Sequence, residues 1–166
     1  MKTKSSESLH CFFYFIPIMK KIDQWFDEYA VSHQNSINKL IHWFCVPTIF
    51  LSIVGLLYCV KLDTITLAHL ALFFVIVFYV RLSLKMAIGV ILFAFICLFI
   101  CYLLEQQHSI ALYKICLILF VLAWIGQFIG HKIEGKKPSF LHDIQFLMIG
   151  PAWLLGFIFK KLNIKY

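Results

Sequence analysis

The chain has 166 residues, of which 62% are hydrophobic and only 14% are charged. A soluble domain of this length cannot bury so much apolar surface, because a small protein keeps a large surface for its volume. The composition, with a mean hydropathy of +0.89, therefore predicts an integral membrane protein. The net charge of +7 falls in short segments between apolar runs. Cations in such segments set the orientation of a membrane protein and contact anionic lipid headgroups, so they do not indicate a nucleic-acid partner.

The chain starts with a segment, residues 1–19, that is basic at first and apolar after that. It resembles the first parts of a signal peptide, but no small-residue cleavage site follows, and its apolar stretch is too short to cross a membrane. We assign it no function and treat residues 20–166 as a single integral-membrane domain. Within it, residues 20–38 are polar, with aromatic residues at helical spacing. This pattern predicts an amphipathic helix in the membrane interface.

Four apolar runs then predict membrane-spanning helices. They cover residues 40–60, 67–80, 86–104 and 110–130. A fifth run, residues 144–159, is broken by Gly150 and Pro151, so we expect it to be re-entrant or interfacial. The predicted fold class is all-α, a polytopic membrane helix bundle of about four transmembrane helices plus this C-terminal segment.

The loop cations predict the orientation of the bundle. Lysine and arginine concentrate before the first run, between the second and third, and after the fourth. The positive-inside rule then places both termini on the cytoplasmic side, in a bacterial inner membrane or the endoplasmic reticulum. The same count brings His33, His42 and His131 to one rim of the membrane, and His69 and His108 toward the other face.

The first of two polar segments contains Asn38 and His42, which are four residues apart and share a helix face. His33 lies nine residues before His42, so on an unbroken helix the two imidazoles would point in nearly opposite directions. We therefore expect a break after His33, with Asn35 or Ser36 as the helix N-cap, that lets His33 fold back.

The second segment contains Gln127, His131 and Glu134, at i, i+4 and i+7 on one helix face. His131 and Glu134 can present an imidazole and a carboxylate to one ion, in the mirror spacing of the Glu-x-x-His motif of diiron bundles. Such mixed ligands suit a ferrous ion that must also bind oxygen and substrate. A single histidine at the membrane rim is more often a hydrogen-bonding group than a metal ligand. A glutamate among lysines, such as Glu134, is more often a solvated charge. The expected meeting of both segments is what favours a metal site.

Two further histidines are left with open roles. His69 is expected as a satisfied histidine inside a helix. His142, beside Asp143, either supports the site or is a polar residue before the last apolar run.

The two segments together resemble the signatures of the 2-hydroxy fatty acid dioxygenase family, long catalogued only as a domain of unknown function. Eukaryotic members act in converting phytosphingosine to odd-numbered fatty acids. The first motif reads Tyr29, His33, Asn38, His42 and Pro47. The second reads Trp124, Gln127, Gly130, His131, Glu134 and Pro138, with Ser139 where alanine is usual. The resemblance covers about residues 20–155. Lys160 and Lys161 stand about where members often carry an acidic residue.

The resemblance implies an Fe(II)-dependent dioxygenase. It would use molecular oxygen to convert a long-chain 2-hydroxy fatty acid to the acid one carbon shorter, with loss of carbon dioxide. The implied metal ligands are His33, His42 and His131, with Glu134 as a fourth ligand or a catalytic base. Asn38 and Gln127 would orient imidazoles or substrate. The cations expected to attract the carboxylate are Arg81, Lys132, Lys136 and Lys137.

A non-catalytic membrane lipid-binding or transport protein is the alternative function. Transporters usually place ionisable sites near the midplane and often contain repeats, and the sequence shows neither. A histidine-rich hydroxylase or desaturase would carry HxxxH or HxxHH boxes, which the chain lacks. Substrate chain length, the number of metal ions and the oligomeric state stay open.

Overall fold

A computed structural model of the protein describes residues 22–107, 110–135 and 140–165, with the backbone alone for residues 140–147. The segment 1–19 and the residues His108, Lys136, Lys137 and Pro138 lie outside the described residues, as do the side chains of His142 and Asp143.

The described residues form six helices and one short hairpin. In chain order the helices are α1 Ile22–Val31, α2 Ser36–Tyr58, α3 Leu67–Leu82, α4 Leu84–Gln106, α5 Leu112–Glu134 and α6 Phe140–Lys161. The hairpin pairs β1 Lys61–Leu62 antiparallel with β2 Ile65–Thr66, between α2 and α3. The all-α fold class is confirmed, and α1 lies where the amphipathic helix was predicted.

Three of these helices are long and apolar enough to cross a membrane. They are α2, α4 and α5, each 23 residues long, with mean hydropathies of 2.1, 2.9 and 2.1. The second predicted span corresponds to α3, which is apolar but has 16 residues. At about 1.5 Å per residue it is roughly 24 Å long, less than the roughly 30 Å of a bilayer core. The bundle therefore has three long candidate spans and a shorter apolar helix.

The predicted interruption of the last apolar run is wrong. Helix α6 continues through Gly150 and Pro151 without a break. A proline inside a helix removes one backbone hydrogen bond, yet tertiary packing can hold the helix together around it. Gly150 lets α6 pack closely against its neighbours, because a methyl group at this position would lie 3.0 Å from Val46 and 3.4 Å from the Tyr29 hydroxyl. Whether α6 crosses the membrane or lies in its interface stays a prediction.

Helices α2 and α5 form the most extensive pair in the bundle, and glycines bring them close together. A methyl group at Gly126 would come within 2.5 Å of the Cys45 sulfur, and one at Gly130 would collide with the Asn38 side chain. Gly126 and Gly130 are four residues apart, the GxxxG spacing with which membrane helices approach closely. This contact sets the distance between the two polar segments.

The end of the bundle with the hairpin carries ordinary surface interactions. Lys61 in β1 forms an ion pair with Glu105, with 2.8 Å between Nζ and Oε1, and the hydrogen bond to Glu105 raises the pKa of Lys61. His69 is exposed in the first turn of α3, and its Nδ1 lies 2.8 Å from the Thr66 hydroxyl. It is therefore a capping residue at a helix end and does not lie in a helix interior.

Candidate metal centre

Three buried imidazoles meet at one end of the bundle. His33 comes from the link between α1 and α2, His42 from α2, and His131 from α5. Their exposed fractions are 3%, 1% and 7%. One ring nitrogen from each lies within 4.8 Å of the other two. The prediction that the two polar segments meet is thus confirmed.

The helical structure is interrupted around His33, as the nine-residue spacing between His33 and His42 requires. Asn35 is the N-cap of α2, and its side-chain oxygen accepts hydrogen bonds from the amides of Ile37 at 2.8 Å and Asn38 at 3.3 Å. The His33 ring stacks on Tyr29, with centroids 4.0 Å apart and planes 4° from parallel. The predicted break is therefore confirmed, and of the two residues offered as cap the structure uses Asn35.

Backbone carbonyls fix two of the three imidazoles. His33 Nδ1 lies 2.6 Å from the Tyr29 oxygen, and His42 Nδ1 lies 2.9 Å from the Asn38 oxygen. A carbonyl oxygen accepts and never donates, so in both rings Nδ1 carries the proton. This leaves the Nε2 lone pair of each ring available as a ligand atom. Metal-binding histidines usually have this arrangement, with the second nitrogen bonded to a carbonyl or carboxylate.

The three rings stand around a common centre. Ring centroids are 4.2 Å apart for His33 and His42, 5.2 Å for His42 and His131, and 5.6 Å for His33 and His131. Interplanar angles of 83°, 89° and 67° let each ring present an edge to the others. Metal–nitrogen bonds are about 2.0–2.1 Å long, so small ring shifts would bring all three nitrogens to a single ion. The donor set fits a metal, and three protein ligands leave positions for other molecules.

Glu134 lies at the end of α5 and binds the start of α2. Its Oε1 accepts from the Gln34 amide at 2.7 Å, and its Oε2 accepts from the Asn35 amide at 2.9 Å and from Asn38 Nδ2 at 3.0 Å. A carboxylate is favourable there because the first amides of a helix lack partners and carry the positive end of its dipole. The described group of candidate ligand atoms contains the histidines and not Glu134. Its role as ligand or base stays a prediction.

The two amide side chains singled out in the sequence are both buried at the centre. Asn38 is fully buried, and its Nδ2 also lies 3.3 Å from the Ser32 carbonyl oxygen. Gln127 lies one helical turn before His131 on α5. Among the described residues, Gln127 Oε1 and Asn38 Oδ1 have no hydrogen-bond partner. A buried acceptor in that state costs about 1–3 kcal/mol, so such atoms favour a site that takes up a further donor.

Comparison with known proteins agrees with this arrangement. Residues 19–162 match the family model described as Mpo1-like, 2-hydroxy-palmitic acid dioxygenase Mpo1-like. The chain belongs to this family. It is also 33% identical over 137 residues to the protein named 2-hydroxy-palmitic acid dioxygenase MPO1 of Saccharomyces cerevisiae, a match that covers 80% of the chain and 76% of the yeast protein. No solved structure matches the chain. The resemblance based on the two motifs is confirmed, and a relative named as a dioxygenase supports an oxidoreductase.

In this Mpo1-like chain, a cavity of about 260 Å³ adjoins the histidine cluster. Trp153 forms part of its wall, with its ring centroid 5.5 Å from His33 and 5.0 Å from Tyr29. Two lysines, Lys39 and Lys160, also line it. Arg81 and Lys132, which the sequence suggested for the substrate carboxylate, are exposed and do not line this cavity. Sequence reasoning missed Trp153 and Lys160 because no local pattern relates α6 to the histidines, and it missed Lys39 although that residue lies on α2, beside Asn38.

Proposed function

We propose that the protein is an Fe(II)-dependent membrane dioxygenase that performs α-oxidation of 2-hydroxy fatty acids. The product would be the acid one carbon shorter, with release of carbon dioxide. The observation that carries this proposal is the cluster of three buried histidines, whose ring nitrogens lie within 4.8 Å of one another, in a chain of the Mpo1-like family.

The donor set supports a redox-active metal. Imidazole suits zinc, copper, iron and nickel, and zinc has no redox chemistry with which to activate oxygen. Ferrous ions in non-haem oxygenases use few protein ligands and leave open positions. When bound here, a ferrous ion would activate oxygen and act as a Lewis acid toward the hydroxyl and carboxylate of the substrate.

The reaction balances without an external reductant. One 2-hydroxy acid and one O2 give one shortened acid, one carbon dioxide and one water. The bond between C1 and C2 breaks, C2 is oxidised from the alcohol to the acid, and the four electrons released reduce the oxygen molecule. The protein therefore needs no electron-transfer partner for turnover.

The side chains around the cluster would position the reacting groups. The carbonyls of Tyr29 and Asn38 hold two imidazoles in the tautomer that offers Nε2. Glu134 holds the link that carries His33 against the end of α5. The buried Gln127 oxygen is available to accept a hydrogen bond from the substrate hydroxyl, which is the orienting role that we propose for it.

A second cavity would take part of the acyl chain. It has a volume of about 120 Å³, and apolar side chains of α2, α4 and α6 line it, among them Trp43, Phe93 and Leu154. Acyl chains partition into such surfaces because burial removes apolar area from water. A substrate that lies between these helices, with its head at the histidines, would enter from the membrane. The cytoplasmic position of that end remains part of the proposal.

The test is turnover by the purified protein. The chain is purified in detergent, loaded with Fe(II) and supplied with 2-hydroxypalmitic acid and oxygen, and the shortened acid is measured by mass spectrometry. His42→Ala should lower iron content and turnover by more than about a hundredfold, since loss of even the outer partners of metal ligands costs 10–100-fold. The matched control is His69→Ala, which removes an exposed histidine at the other end of the bundle. If the iron-loaded wild type gives no shortened acid, the proposed function is wrong.

A further inference from the structure

The cavity next to His33 is lined by both charged and aromatic side chains. Lys39 lies on α2, three residues before His42, and Lys160 lies in the last turn of α6. Among the residues that the structure describes, Asp27 on α1 is the one carboxylate that lines this cavity. Two cations against one anion leave a net positive charge among the described residues that line the cavity, where an acid would be attracted.

Three of the side chains that line the cavity lie on α6. Trp153, Phe157 and Lys160 follow one another at helical spacing on α6, so all three face the same side. The ring of Trp153 stacks edge-on with Phe157, with centroids 4.6 Å apart. His33 also lines the cavity, with its ring 5.5 Å from that of Trp153. An amphipathic molecule would thus meet cations, aromatic rings and one imidazole of the cluster within one cavity.

The cavity volume fits the head of a long-chain acid and not the whole molecule. Sites that hold a complete drug-sized ligand measure about 300–1,000 Å³, and this cavity measures about 260 Å³. Phe157 lies between the two cavities: it lines the charged one and contacts Trp43, which lines the apolar one, with centroids 6.2 Å apart. This ring pair therefore links the lining of the charged cavity to that of the apolar cavity.

We propose that Lys39 and Lys160 form the subsite that binds the carboxylate of the fatty acid and places its first carbons at the histidine cluster. The inference rests on the proposed function, because it names how the same site selects an acid. The lysines are specificity-determining residues: they discriminate a free acid from a neutral ester of the same chain. Asp27 opposes them and limits how tightly an acid is held.

The experiment measures binding rather than turnover, so that it remains decisive if the protein proves not to be a dioxygenase. Palmitic acid, which lacks the 2-hydroxyl group, and methyl palmitate are compared as ligands of the full chain in neutral detergent by a radioligand assay. Lys39→Gln and Lys160→Gln should each weaken acid binding roughly fivefold, and the double variant by more. Binding of the ester should not change, and Lys160→Arg should bind the acid as the wild type does.

Two further variants make the test specific to this cavity. Lys161→Gln removes the same charge one residue further along α6, at a position that does not line the cavity, so it should leave acid binding within about twofold of wild type. Asp27→Asn should strengthen acid binding about two- to fivefold and leave ester binding unchanged. Thermal unfolding in the same detergent, measured on every variant, verifies that each is folded.

Three results would overturn the proposal. The first is equal binding of the acid and the ester by the wild type. The second is that Lys161→Gln weakens acid binding as much as Lys160→Gln does. The third is that an anionic phospholipid, phosphatidylglycerol, displaces palmitic acid at equal concentration in the wild type but not in the double lysine variant, which would identify the subsite as a lipid headgroup site.

Discussion

The carboxylate of Glu134 accepts a hydrogen bond from the backbone amide of Asn35, with 2.9 Å between Oε2 and N. One residue thereby ties the end of α5, which carries His131, to the turn that carries His33. Neither partner is a histidine, yet the contact joins the two segments that carry two of the three imidazoles. Glu134 is therefore expected to act on the metal centre through position.

Substitution of Glu134 distinguishes that role from metal ligation. Glu134→Gln keeps one oxygen that can accept from the amides of the turn, whereas Glu134→Ala keeps none. We expect Glu134→Ala to destabilise the protein by about 1–3 kcal/mol and to weaken iron binding about 10–100-fold, with Glu134→Gln between it and the wild type. Thermal unfolding in detergent and iron titration measure both effects.

Glu105→Gln is the matched control, since it makes the same change at the end of α4, away from His33, His42 and His131. It breaks an exposed ion pair with Lys61, and such pairs contribute about 0–1 kcal/mol. If Glu134→Gln binds iron normally but loses turnover as completely as Glu134→Ala, Glu134 is a catalytic base and the positional account fails.

The N-cap of α2 gives a second prediction, because the sequence offered two candidates and the structure uses one. Asn35→Ala removes the side-chain oxygen that accepts from two amides, and loss of an N-cap costs about 0.5–2 kcal/mol. Ser36→Ala changes an exposed neighbour and should stay within about 0.5 kcal/mol of wild type. Thermal unfolding of the two variants side by side measures the difference. Equal destabilisation by both would show that Asn35 is not the cap in solution.

Removal of the metal gives a third prediction. A chelator should abolish turnover and lower the unfolding temperature, because an ion that binds only the folded state stabilises it by mass action. Re-addition of Fe(II) should restore both properties, whereas Zn(II) should restore the unfolding temperature but not turnover, since zinc cannot activate oxygen. Turnover that survives complete chelation would exclude a metal-dependent mechanism.

Much of the bundle was predictable because hydrophobic length and helical period are local properties. The helices α2, α4 and α5 lie within a few residues of the first, third and fourth predicted runs, and the break between His33 and His42 followed from their spacing alone. The meeting of the two histidine segments was predictable from loop charge, which depends on composition and not on packing.

What could not be predicted depends on contacts between distant segments. Pro151 suggested a break, but α6 is continuous there and its Gly150 packs against Val46. Glu134 binds backbone amides, which have no signature in a sequence. Lys160 reaches the cavity only because α6 packs beside α1, and no periodicity relates those two helices.

The close contact between α2 and α5 yields a final prediction. Gly130 faces Asn38, and a methyl group at that position would collide with the Asn38 oxygen. This oxygen cannot simply withdraw, because the same side chain donates to Glu134 through Nδ2. Gly130→Ala should therefore separate the two helices, destabilise the protein by about 1–3 kcal/mol, and lower iron affinity by moving His131 away from His42.

Gly89→Ala in α4 is the control for that variant. A methyl group at Gly89 would lie 3.2 Å from the ends of the Leu155 and Phe159 side chains, of which the Leu155 end can rotate. Alanine is also about 0.5–1 kcal/mol better than glycine inside a helix, so Gly89→Ala should be close to neutral and should bind iron as the wild type does. Unfolding temperature and iron titration, measured on both variants in the same detergent, decide the matter. If Gly130→Ala binds iron with unchanged affinity, the spacing between α2 and α5 does not control the metal centre.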